Sequence, residues 1–318
     1  MNTPTSTAWI DANQRLMVAE FGRLKQRLGA EEDDETIASA LESARASLQR
    51  LVVTEFGWRK DPGVKTSPLE SARAAMPAPS AIDHISHSFN LSPFERDVLL
   101  LCAGVEMDAK LAAQCEMAAG EARRQGASFG LALAALDAPH WSALAPVSPL
   151  RRWRLVEVDE SAGLARGRLR IDERILHYLA GVNYLDRRLL GLLRGVTPPS
   201  LMAEAHRAVC ESVQNAPEMT STGEVPLVWL TGDDALGQSD VAAQVAAMLG
   251  VALYVLRAGD VPTGHAEIEA LATLWEREAM LLGSTLLVSC GTDPLPATAA
   301  RFIEQLGGLV FEIGRAHV

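Results

Sequence analysis

Residues 151–179 read RRWRLVEVDESAGLARGRLRIDERILHYL. Trp153–Val158 alternates apolar and polar residues, the period of a half-buried strand. Asp159–Gly163 is acidic and closed by glycine, and it reads as a turn. Leu164–Ile171 resumes the alternation, with Leu169 and Ile171 on one face and Arg168 and Arg170 on the other. Asp172–Leu179 returns to helical spacing. The stretch is a β-hairpin running into a helix.

Upstream of the hairpin the period is helical. Ser92-Pro93-Phe94-Glu95 is a start signal: Ser92 caps, Pro93 suits the first helical position, and Glu95 closes a capping box. Phe94, Val98, Leu101, Cys102 and Val105 then share one face. Further helices are expected at Asp108–Ala119 and Ser128–Ala135. Three helices followed by a hairpin is the order of a winged helix, and the domain is placed at residues 83–195. His84 and His87 form an HxxH that reads as a loop before a helix. No Cys, Asp or Glu accompanies it at metal spacing, so no metal site is expected.

Residues 1–59 read as a pair of helices. Ile10, Met17, Phe21, Leu24 and Leu28 share a face in the first, which Gly29 stops; Ile37, Leu41, Leu48 and Val52 repeat the pattern in the second. Packed antiparallel, such a pair serves either as a docking arm or as part of its own body. Residues 60–82, rich in Pro, Ala and Ser, read as a linker.

Beyond a linker region with helical character at 196–224, residues 225–312 alternate strand and helix. Strands are expected at Val225–Thr231, Val251–Leu256, Thr285–Val288 and Gly308–Phe311. Helices are expected at Ser239–Leu249, Glu267–Leu282 and Ala297–Leu306. This order argues for a parallel sheet covered on both faces. The fold class expected for the whole is mixed. A mainly α N-terminal region with a winged helix precedes an incomplete α/β parallel-sheet domain of phosphate-loop type.

The first of these strands runs into Gly232-Asp233-Asp234-Ala235-Leu236-Gly237-Gln238-Ser239. This fits GxxxxGK[ST] except at the lysine, which is Gln238. The lysine ammonium normally meets the β- and γ-phosphates, and glutamine carries no charge. A carboxylate of Asp233 or Asp234 turned inward to about 4 Å from a phosphate would repel it by about 4 kcal/mol at an effective dielectric of 20. The third strand should end in Asp-Glu for Mg²⁺ and water activation; Thr285–Val288 instead ends in Ser289-Cys290, with Asp293 beyond a glycine. Gly232, Gly237, Gln238 and Ser239 are therefore the candidate nucleotide-binding positions of a degenerate loop. No catalytic residue and no metal ligand is assigned. No cofactor is required, and ATP is the one the loop amides could hold, weakly. The alternative is an unrelated doubly wound domain in which Gly232 and Gly237 make a tight turn.

Composition narrows the classes. The chain has 318 residues, 48% hydrophobic and 22% charged, which suits folded domains rather than a disordered chain. Lys+Arg is 29 against Asp+Glu 40, a net charge of -11, and phosphate backbones need the opposite sign. No apolar run is long enough to span a bilayer and no secretory signal opens the sequence, so a cytoplasmic protein is expected. Cys102, Cys115, Cys210 and Cys290 show no paired spacing and read as reduced thiols. Trp141, Trp153, Trp229 and Trp275 lie in apolar patterns and are expected in the core, and His177 is given no catalytic role.

The last residues, Ile313–Val318, read IGRAHV. Back-translated, they match a common sequencing adapter read in frame to its first stop. Residues 313–318 are on that reading not native, and the native chain is expected to continue past residue 312.

FNLSPFERDVLLLCAGVEMD, FGLALAALDAPHWSALAPVSPLRRWRLVEV and LRIDERILHYLAG, within roughly 88–183, resemble an AAA+ ATPase family of phage-tail-like extracellular contractile injection systems. The resemblance continues more loosely through LVWLTGDDALGQSDVAAQVAAMLGVALYVLRAGDVP and LATLWEREAMLLGSTLLV. It implies an N-terminal winged helix, a degenerate ATPase-like domain, and then an intact AAA+ domain that this chain does not contain. Gly232, Gly237 and Ser239 match the family's phosphate-loop positions, and Gln238 departs from an active one. The function expected is a regulatory and docking part of an oligomeric ATPase that assembles or remodels an injection particle. ATPase subunits and particle components would be its protein partners. Two alternatives stand beside it. One is a winged-helix DNA-binding regulator using Arg151, Arg152, Arg154, Arg166, Arg168 and Arg170. Its counter-reading pairs these arginines with Glu157, Asp172 and Glu173. The other is a nucleotide-binding protein with a variant phosphate loop.

Overall fold

The computed structural model describes residues 6–29, 67–118, 126–216, 227–291 and 294–314. The chain divides into two compact units, Pro4–Val182 and Asn183–Val318.

In the first unit α1 is Thr7–Gly29, and it buries Trp9, Leu16, Met17, Phe21, Leu24 and Leu28 on one face. Asn13, fully buried, binds α1 into the unit. Its Nδ2 donates to the Leu179 carbonyl at 2.8 Å and its Oδ1 accepts from the Ala81 N–H at 3.0 Å. The second helix of the expected pair lies outside the described residues.

The stretch read as a linker carries structure. Helix α2, Pro68–Ala74, opens with a capping box between Ser67 and Glu70. Helix α3, Ala81–Ser88, is capped by Ser80 and includes His84 and His87, so the HxxH is helical rather than loop. Two caps on alanine-rich segments outweigh the prolines, which stand outside the helices or at a first turn.

Helix α4, Pro93–Met107, starts at the Ser92 cap and capping box read from the sequence. It is followed by α5, Ala109–Ala118, and α6, Phe129–Ala135. Gly104 lets helices close in, since a Cβ there would collide with Leu111 and press on Phe21. A 3₁₀ turn, Trp141–Leu144, and the one-turn α7, Pro149–Arg152, come next. Helix α7 accounts for the shortened strand: the Trp153 N–H bonds Pro149 O at 3.1 Å, and Arg154 turns the chain at φ 50°. Strand β1 is therefore only Val156–Val158, paired antiparallel with β2, Leu169–Ile171. Ser128 bridges Arg168, adding a third short edge to the hairpin. Helix α8, Glu173–Leu179, is capped by Asp172.

The second unit begins earlier than the sequence suggests. Strand β3, Leu193–Val196, already belongs to its sheet, although it falls at the expected end of the winged helix. Helix α9, Glu204–Gln214, occupies the region read as a linker and packs on α10, Ala235–Met248. The other strands are β4, Leu227–Thr231, β5, Ala252–Arg257, β6, Ser284–Ser289, and β7, Val310–Gly314. The remaining helices are α11, His265–Leu282, and α12, Ala297–Glu304. The sheet order is β3-β5-β6-β7-β4, with β3 antiparallel to its neighbour and the rest parallel.

Leu230, Leu253, Leu287, Phe311 and Ile313 meet α9 and α10 through Cys210, Val241 and Val245 on one face. Leu256, Leu286, Val288 and Val310 meet Ile268, Trp275 and Phe302 of α11 and α12 on the other. Ile313, which the adapter reading sets aside, is 5% exposed; a β-branched apolar residue continues the alternation of Phe311 and serves as strand. Residues 315–318 lie outside the described residues. Trp275 is buried, but Trp141 and Trp229 are not core: they are 64% and 58% exposed.

Candidate functional site

Helix α7 leads directly into the hairpin, at the place where a DNA-binding winged helix carries its recognition helix. At about 1.5 Å rise per residue, its four residues span about 6 Å, a single turn. Arg151 donates to the Leu144 carbonyl and the Glu160 carboxylate, each at 2.9 Å, and Arg152 lies over the Trp153 ring at 4.8 Å. Arg168 pairs with Glu106 at 3.6 Å, and Arg170 stands opposite Glu157 in the strand register. Of these six arginines, the side chains of Arg166 and Arg170 make no hydrogen bond, ion pair or ring contact among the described residues. The tip of the wing depends on Gly167, where a Cβ would collide with the Asp159 carbonyl.

The loop between β4 and α10 holds the four residues singled out from the sequence. Gly232, Gly237 and Gln238 line a cavity of about 400 Å³ together with Trp229, Asp233, Asp234 and His206. Asp234 is the N-cap of α10: its Oδ1 accepts from the Gly237 N–H at 2.9 Å, and Gln238 N bonds the Asp234 carbonyl at 3.0 Å. Amides that would cradle a phosphate are thus satisfied by the loop's own carboxylate and carbonyl. His206 Nε2, from α9, lies 4.0 Å from Asp234 Oδ2. Gln238 Nε2 is buried with no hydrogen-bond partner among the described residues. Ser239 is on α10 and only half-buried.

Strand β6 ends at Ser289 and runs into Cys290, whose thiol burial pushes up from the ordinary range, with Glu312 reinforcing the shift. Neither group is an anionic oxygen for Mg²⁺. Asp293 lies outside the described residues. Burial also raises the other thiols, Cys115 to about 12, so none is poised as a nucleophile. Among the described residues no group of three or more His, Cys, Asp and Glu could hold a metal. Ser92 Oγ and His140 Nε2 stand 2.8 Å apart, which resembles a nucleophile–base pair. However, that hydroxyl also accepts from the Glu95 N–H as the cap of α4, and its role is structural.

The family described as winged helix domain, variant, matches residues 7–193, more than half of the 318. The chain belongs to that family. The match begins at Thr7, so α1 counts as part of the variant winged-helix domain, in keeping with the Asn13 hydrogen bonds that join it to α3 and α8. No curated protein matches the chain, and no solved structure does. Among the described residues no helix is long and apolar enough to cross a membrane.

Sequence reasoning missed α7, His206 and the capping role of Asp234. Ser148-Pro149 repeats the Ser-Pro start of α4 and was a usable signal for α7. Nothing in the sequence placed His206 beside the loop, because that contact spans two helices.

Proposed function

We propose that this chain works by binding rather than by catalysis. Its variant winged-helix domain is a regulatory module that docks protein, and its α/β domain is an ATPase-like scaffold that does not hydrolyse ATP. The observation that carries the reading is the entry to the wing: a one-turn helix whose two arginines are engaged within the chain. A helix that reads base edges must reach into the major groove with free side chains, and α7 has neither the length nor the groups. The net charge of -11 points the same way. The self-satisfied loop and the uncharged end of β6 support an inactive α/β domain. The resemblance over 88–183 supports the finer reading: the docked proteins are ATPase subunits or components of a contractile injection particle, and an oligomeric ATPase is the setting.

The test is an electrophoretic shift with duplex DNA at roughly 50 and 200 mM salt. A protein-docking wing gives no shift at either. A complex at low salt that loses several decades of affinity at the higher salt would install the DNA-binding alternative in its place.

A further inference from the structure

We draw no further inference here: the strongest candidate, the groove of about 680 Å³ between α1 and α2 lined by Ala12, Val18, Ala19, Gly22, Leu69 and Ala72, reaches Ser67, next to residues 30–66, which lie outside the described residues, and nothing in the structure shows what covers it.

Discussion

Glu20 shows how one residue organises the first unit. Its side chain is fully buried, and Arg96, Arg73 and Arg23 converge on it at 2.7, 2.8 and 2.9 Å. Burial alone would raise its pKa. The hydrogen bond and charge of Arg96, with the bonds from Arg73 and Arg23, override that and hold it at about 2 instead of 4.5. The folded value lies below the unfolded one, so the contribution is present above about pH 4.5 and is lost as the pH falls toward 2. It amounts to about 3 kcal/mol. Glu20→Gln should lower stability by about that much near neutral pH and flatten the acid limb between pH 4.5 and 2, read by urea titration at several pH values. A variant as stable as the wild type across that window would show that the arginines do not depend on this carboxylate.

At the scale of elements, the start of the second unit is fastened to α11 by buried charge. Asp186 accepts from Arg277 at 2.7 Å and from Arg188 at 2.6 Å, while its N–H donates to Glu278 at 3.2 Å. Arg277 and Glu278 are fully buried. Arg277→Met should cost about 3–5 kcal/mol in denaturant unfolding, because it strands buried carboxylates. Adding Glu278→Gln to it should recover part of that loss. A cost below about 1 kcal/mol would mean that Arg188 suffices.

The elements also mark what could be read in advance. Helix α4 was legible because its cap signals and its period coincided in the sequence, and α10 and strands β4 to β6 were legible from their periods. Trp153 to Leu155, which follow α7, were taken into the strand because Trp-Arg-Leu-Val alternates as well as any strand does. There Pro149 at the first helical position and the turn at Arg154 decide, and β1 keeps only Val156–Val158. Strand β3 was not legible: Leu-Arg-Gly-Val is four residues whose strand character comes from pairing with β5, from Leu193↔Leu256 to Val196↔Leu253. The exposure of Trp229 was equally hidden, since an apolar strand reads alike at the edge and at the centre of a sheet.

At the scale of the molecule, a variant winged-helix domain and a mostly parallel α/β domain follow one another along one acidic chain. The proposal of an inactive α/β domain rests, in the sequence, on Gln238 and on Ser289-Cys290. What folding adds is the position of Asp234, whose carboxylate takes the Gly237 amide and so answers the loop from within. The measurement that bears most directly on a chain acting by binding rather than catalysis is calorimetric titration with Mg-ATP. The wild type should give at most weak binding heat, while Asp234→Ala combined with Gln238→Lys should bind more tightly, having lost a loop carboxylate and gained a cation. Saturable Mg-ATP binding by the wild type, at an affinity the double variant does not improve, would contradict the account.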